Sequence, residues 1–268
     1  MLGKLIKHEF RATARIMWPV LAALLVLGVL GNVSTRLLST TSNGLVNVLA
    51  SLVMVAFVFA VMGVSILALV LMVNRFKTNL LSDEGYLMFT LPVSVHALVW
   101  SKLLVSLLWF VLSAIAMVLS MLVLSFRVEF LSHFAEMLRA LFQFRLPDGT
   151  AGHVALVITE MVGAALMGGV CLCLLFYAAM SAGHSFGSHK KLLTAVSFLV
   201  LLIITQFGAT YFLALVFRGY MNAHVADFLS SLQFSAGALG WILLAEAIFA
   251  GLYYAVTTLC LRYRLDLE

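Results

Sequence analysis

Six apolar runs, each of about 17 residues or more, leave this chain one kind of fold. At about 1.5 Å per residue each is long enough to cross a hydrocarbon core of roughly 30 Å. They lie at Met17 to Val33, Ala50 to Val73, Leu103 to Phe126, Val154 to Ser181, Leu192 to Phe217 and Ala236 to Leu261. In lipid every backbone N–H and C=O must be bonded within its own segment, so each run is predicted to be an α-helix. The fold class expected is therefore all-α, a polytopic membrane protein with six transmembrane helices. Composition agrees: 64% of residues are apolar and only 10% charged, against about half and a quarter in soluble domains.

The net charge of +5 does not point to nucleic acid, because Lys and Arg stand at the ends of the apolar runs. They read as topology instead. With both termini inside, Lys4, Lys7, Arg11, Arg15, Arg75, Lys77, Lys102, Lys190, Lys191, Arg262 and Arg264 are cytoplasmic, and only Arg36, Arg127, Arg139, Arg145 and Arg218 lie outside. The basic start leads into a full-length span and not a cleaved leader, so the N-terminus is expected to be retained in the cytoplasm. Residues 1–268 are read as one transmembrane domain whose bilayer contact is its main environment.

Three segments between or before the spans carry pattern. In residues 1–18, Lys4, Lys7, Arg11 and Arg15 fall within an arc of about 80°, opposite Leu2, Ile6, Phe10, Thr13 and Met17. This predicts a helix lying on the membrane, its apolar face under the headgroups, broken from the first span by Pro19. Glu9 falls inside the apolar arc. It either leans out to water or a neighbouring base, or contacts another subunit or the cytoplasmic loop. Residues 127–150 form a second amphipathic stretch, placed outside, with Phe130, Leu131, Phe134, Leu138 and Leu141 on one side and the turn Pro147-Asp148-Gly149 after it. It reads as an interfacial helix, with a lid over the external mouth as the alternative.

The third segment, residues 74–100, contains "SDEGYLMFTLPVS". Ser82 can cap a short helix, Asp83 and Glu84 suit its positive first turn, and Leu80, Glu84, Leu87, Met88 and Leu91 follow a 3.6-residue spacing. Pro92 ends it at Leu91, and Ser94 can cap the helix that becomes the third span. Acids facing an anionic membrane surface are poorly explained by a helix resting on lipid, and with Tyr86 and Phe89 they suit protein docking better.

Catalytic patterns are lacking: there is no HExxH, paired CxxC, GxSxG or phosphate-cradling GxxxxGK[ST]. His184 and His189 flank "HSFGSH" with no Cys or acid beside them, so no metal site is expected. Cys171 and Cys173 point to different sides of a helix, and no disulfide framework is implied. Within the spans Glu160 and Glu246 stand out, because an ionisable group in hydrocarbon costs at least about 2.5 kcal/mol. With Gln206 they are predicted to line a shared polar cavity, or else to bond helices together. Gly163, Ala164, Gly168 and Gly169 read as close helix packing.

The stretch "DEGYLMFTLPVS", followed by "SKLL" and preceded by a basic amphipathic start, resembles the membrane subunit of ABC-2 type (type V) ABC transporters. The resemblance implies a six-span permease in a bacterial plasma membrane that forms a homo- or heterodimer and binds separate ABC ATPase subunits. Residues 1–18, with Glu9, Arg11 and Arg15, would be the elbow helix. The coupling helix would be cytoplasmic, with Asp83, Glu84, Gly85, Tyr86, Leu87, Phe89, Leu91, Pro92 and Ser94 at the ATPase groove. The chain itself would bind no cofactor and catalyse nothing, ATP and Mg being used by the partner, and the cargo would be a drug, peptide or lipid-like molecule. A proton-coupled secondary transporter, and a sensor or assembly module without transport, are the rival readings.

Overall fold

The computed structural model describes residues 2–41, 43–82, 85, 93–126, 150–185, 189–220 and 228–263. These form six helices: α1 (Leu2–Thr40), α2 (Gly44–Leu81), α3 (Val95–Leu124), α4 (Thr150–His184), α5 (Lys190–Tyr220) and α6 (Phe228–Tyr263). All six are long and apolar enough to cross a membrane. Each contains one of the expected spans, although the third ends at Leu124, short of Phe126. The chain is a multi-pass membrane protein. Large apolar side chains such as Phe59, Ile66, Ile203 and Phe207 are exposed along the helices, as surfaces meeting acyl chains must be.

The chain divides into two compact units. One comprises 3–72 and 104–145, the other 1–2, 73–103 and 146–268. In the first, Met17, Leu21 and Leu24 of α1, Phe57 and Val64 of α2, and Val105 and Trp109 of α3 form a buried core. α1 and α3 run parallel, since successive contacts pair Thr13 with Trp109, Gly28 with Ser120 and Asn32 with the Leu124 carbonyl. A Cβ on Gly28 would lie 2.9 Å from the Ser120 backbone oxygen, so glycine is what permits this approach.

One expectation for the N-terminal segment, the break at Pro19, is corrected here. α1 continues through Pro19 without a break. Proline removes one N–H and so one helical bond, which a membrane helix tolerates when its surroundings fix the backbone on either side. Part of the apolar face of residues 1–18 packs on protein: Phe10 stacks on Trp109 at 5.1 Å, and the Trp109 indole N–H donates to Thr13 Oγ1 at 2.7 Å. Glu9 is buried at 6% exposure, which excludes the reading in which it leans into water, while Arg11 and Arg15 are exposed.

In the second unit α4 pairs most extensively with α6. They are parallel: Glu160 meets Gly240, Gly163 meets Leu243 and Gly168 meets Glu246. α5 is antiparallel to both, with Gly183 against Thr194, Phe176 stacked on Phe198 at 4.8 Å, and Gly208 against Phe249. Gly183 makes the tightest approach, because a Cβ there would stand 2.5 Å from both the N and Cα of Thr194. The ends of α2 and α3 that flank residues 82–94 belong to this unit. Phe76 stacks on the buried Tyr177 at 4.0 Å, and His96 Nδ1 lies 2.6 Å from the Tyr254 hydroxyl.

Candidate functional site: an acidic cleft in the α4–α5–α6 bundle

Glu160 and Glu246 occupy matching positions on parallel helices, each carboxyl facing a glycine of the other helix. Glu160 Oε1 would be 3.4 Å from a Cβ on Gly240, and Glu246 Oε1 would be 3.2 Å from a Cβ on Gly168. Oε2 of each is buried with no hydrogen-bond partner among the described residues. A buried polar oxygen left unbonded is unfavourable by roughly 1–3 kcal/mol. The two acids therefore do not bond the helices together in this conformation.

Glu246 opens onto a cavity. A cleft of about 310 Å³ is bounded by Gly168, Cys171 and Leu175 of α4, Thr205 and Ala209 of α5, and Glu246, Phe249 and Tyr253 of α6. Its walls are largely apolar, its size is at the low end for small-molecule sites, and its polar groups are the Glu246 carboxyl and the hydrogen-bonded Thr205 and Tyr253 hydroxyls. Such a site suits an amphiphile that offers a donor or positive charge to an acid within a greasy surround.

Neither Glu160 nor Gln206, expected to share a cavity with Glu246, is among the described residues lining its cleft. Gln206 is exposed on α5 while its neighbour Thr205 lines the cleft, and Glu160 lies on the Gly240 side, away from the cleft walls. Gln206 is separated from the cleft by its angle around α5, whereas Glu160 stands about 12 Å along α4 from Gly168. Gly168, read only as packing, also lines the cleft. Thr205, Tyr253 and Cys171 carried no sequence signal beyond being polar or polarisable groups in apolar runs. Cys173, two residues on, is fully buried, as opposite sides of a helix require.

At the end of the bundle, Ser94 caps α3: the Ala97 N–H donates to Ser94 Oγ at 3.3 Å. Gly85 is buried, its N–H donates to the Ser82 carbonyl at 2.7 Å, and a Cβ there would be 2.7 Å from the Leu80 carbonyl oxygen. The Ser82 hydroxyl donates back to the Thr78 carbonyl, and Leu80 is fully buried within α2. Asp83, Glu84, Tyr86, Leu87, Phe89, Leu91 and Pro92 lie outside the described residues, as does the stretch from 127 to 149. Beside Ser94, a groove of about 520 Å³ is lined by His96 of α3 and Thr258 and Arg262 of α6. Lys102, counted among the cytoplasmic cations, is buried at 4% exposure within α3.

Compared with protein-family models, curated proteins and solved structures, the chain has no significant match in any of the three.

Proposed function

We propose that this chain is the membrane subunit of an ATP-driven exporter, moving an amphiphilic drug, peptide or lipid-like cargo past the Glu246 cleft. Work would enter at residues 82–94 from separate ATPase subunits, which bind the ATP and Mg, and a second membrane subunit would complete the passage. One observation carries this reading: the helix ends on both sides of 82–94 are fastened to the bundle that holds the cleft. Phe76 of α2 stacks on Tyr177 of α4, and His96 and Trp100 of α3 pack on Tyr254 of α6. Tyr254 directly follows Tyr253 in the cleft wall. A force applied to 82–94 would therefore reach the cleft through packed aromatic rings and one hydrogen bond.

The test is reconstitution. Affinity-tagged protein is expected to copurify with an ABC-type ATPase, and vesicles holding both should move a cationic fluorescent amphiphile only when ATP is supplied. Uptake that persists without any ATPase would overturn the proposal. The unbonded buried carboxyl oxygens of Glu160 and Glu246 favour a second reading, proton-coupled transport, since ionisable groups within spans are costly and mark ion or proton pathways. Uptake driven by an imposed proton gradient in ATPase-free vesicles would select it.

A further inference from the structure

The basic end of the same bundle holds a second cleft, unrelated to the Glu246 site. It has a volume of about 330 Å³ and lies between α2, α4 and α5, with Lys77, His184 and Lys191 in its lining and no acidic residue among the described residues there. These three stand at helix ends: Lys77 near the close of α2, His184 as the last residue of α4, and Lys191 in the first turn of α5. Val73 lies one turn deeper than Lys77, and Phe176 and Phe198 lie about 12 and 10 Å deeper than His184 and Lys191 along their helices. Phe176 and Phe198 stack, which closes the inner wall.

The cleft is thus charged at its mouth and apolar at its depth, and its mouth lies where helices leave the hydrocarbon. Both lysines are exposed. The ring of His184 is held by its Nδ1–H donating to the Met180 carbonyl at 2.9 Å, so Nε2 of the neutral ring is an acceptor that suits a headgroup hydroxyl, and the two lysines are the groups that meet the phosphate. A cation at the membrane surface attracts an anionic headgroup by about 1 kcal/mol, and basic pockets between transmembrane helices suit phosphate-bearing lipids. We infer that this cleft binds the phosphate headgroup of an anionic phospholipid from the adjoining leaflet, with the first methylenes of one chain lying against Phe176 and Phe198. An anionic lipid is the occupant that fits both the charge at the mouth and the apolar interior; a free phosphate would leave the interior unfilled.

The experiment is native mass spectrometry of the detergent-solubilised full chain, titrated with phosphatidylglycerol or phosphatidylcholine. Phosphatidylglycerol should be retained in preference to phosphatidylcholine. Lys77→Gln and Lys191→Gln should each weaken its binding about fivefold. Ala195→Phe, which keeps both cations but fills the cleft, should weaken it at least as much, whereas Lys7→Gln, exposed in the other unit, should not change it. Thermal melting of each variant checks that it remains folded, and the substitution of exposed lysines provides folded variants if Ala195→Phe does not. Equal retention of the two lipids would overturn the inference. So would a loss with Lys7→Gln as large as with Lys77→Gln, which would mean diffuse surface charge, or complete displacement by glycerol phosphate, which would mean a site for soluble phosphate.

Discussion

Gly183 and Gly240 lie at two helix contacts of the same bundle but should respond differently to a single added methyl group. At Gly183 the methyl would meet Thr194 backbone at 2.5 Å, and at Gly240 its nearest neighbour would be Glu160 Oε1 at 3.4 Å, an ordinary contact. Gly183→Ala is predicted to destabilise the bundle by about 1–3 kcal/mol and Gly240→Ala to leave it unchanged, as thermal melting in detergent would show. The two glutamates allow a separation of transport from stability. Because Oε2 of Glu246 has no partner among the described residues, Glu246→Gln is predicted to keep the melting temperature within a few degrees while reducing cargo uptake at least tenfold. A large drop in melting temperature with uptake intact would make this residue structural.

Helix α1 shows how a neighbour can override a local breaker. Pro19 breaks the bonding pattern at one step, but residues on both sides of it, Thr13 and Met17 before and Leu21 and Leu24 after, are buried in the core shared with α2 and α3. Those side chains hold both halves in register, so the helix continues. Trp109→Phe would retain an aromatic stack on Phe10 while losing the hydrogen bond to Thr13, and is predicted to destabilise the protein by about 1 kcal/mol, measurable by thermal melting. At the start of α3, Tyr254→Phe would keep its packing on Trp100 and remove the hydrogen bond to His96. It is predicted to lower cargo uptake while ATPase copurification stays intact, since it alters a link between the loop and the cleft and not the loop itself.

The two units share α2 and α3, whose ends beside residues 82–94 belong to the unit containing the acidic cleft. In the proposed exporter, that arrangement would carry force on the polar connection to the cleft. Reversing its charge with Asp83→Lys and Glu84→Lys is predicted to abolish copurification of an ATPase without changing the melting temperature. If copurification persists, the docking role of this segment is wrong, whatever the cleft carries.

Hydropathy alone determined the six helices, because in lipid the backbone has no partner outside its own segment and a long apolar run has no alternative fold. Capping at Ser94 was legible for a similar reason: a serine before a helical pattern has a short, local bond available to it. Contacts between helices were not legible. Whether Pro19 breaks α1, whether Phe10 meets lipid or Trp109, and whether Gln206 shares a cavity with Glu246 all depend on rotation about helix axes and on which neighbour is near. An apolar sequence gives little angular signal here, since a lipid-facing surface and a protein-facing surface are equally greasy. Only tertiary packing decided that Glu160 and Glu246 each face a glycine, and that one of them, with Thr205 and Tyr253, opens onto a cleft.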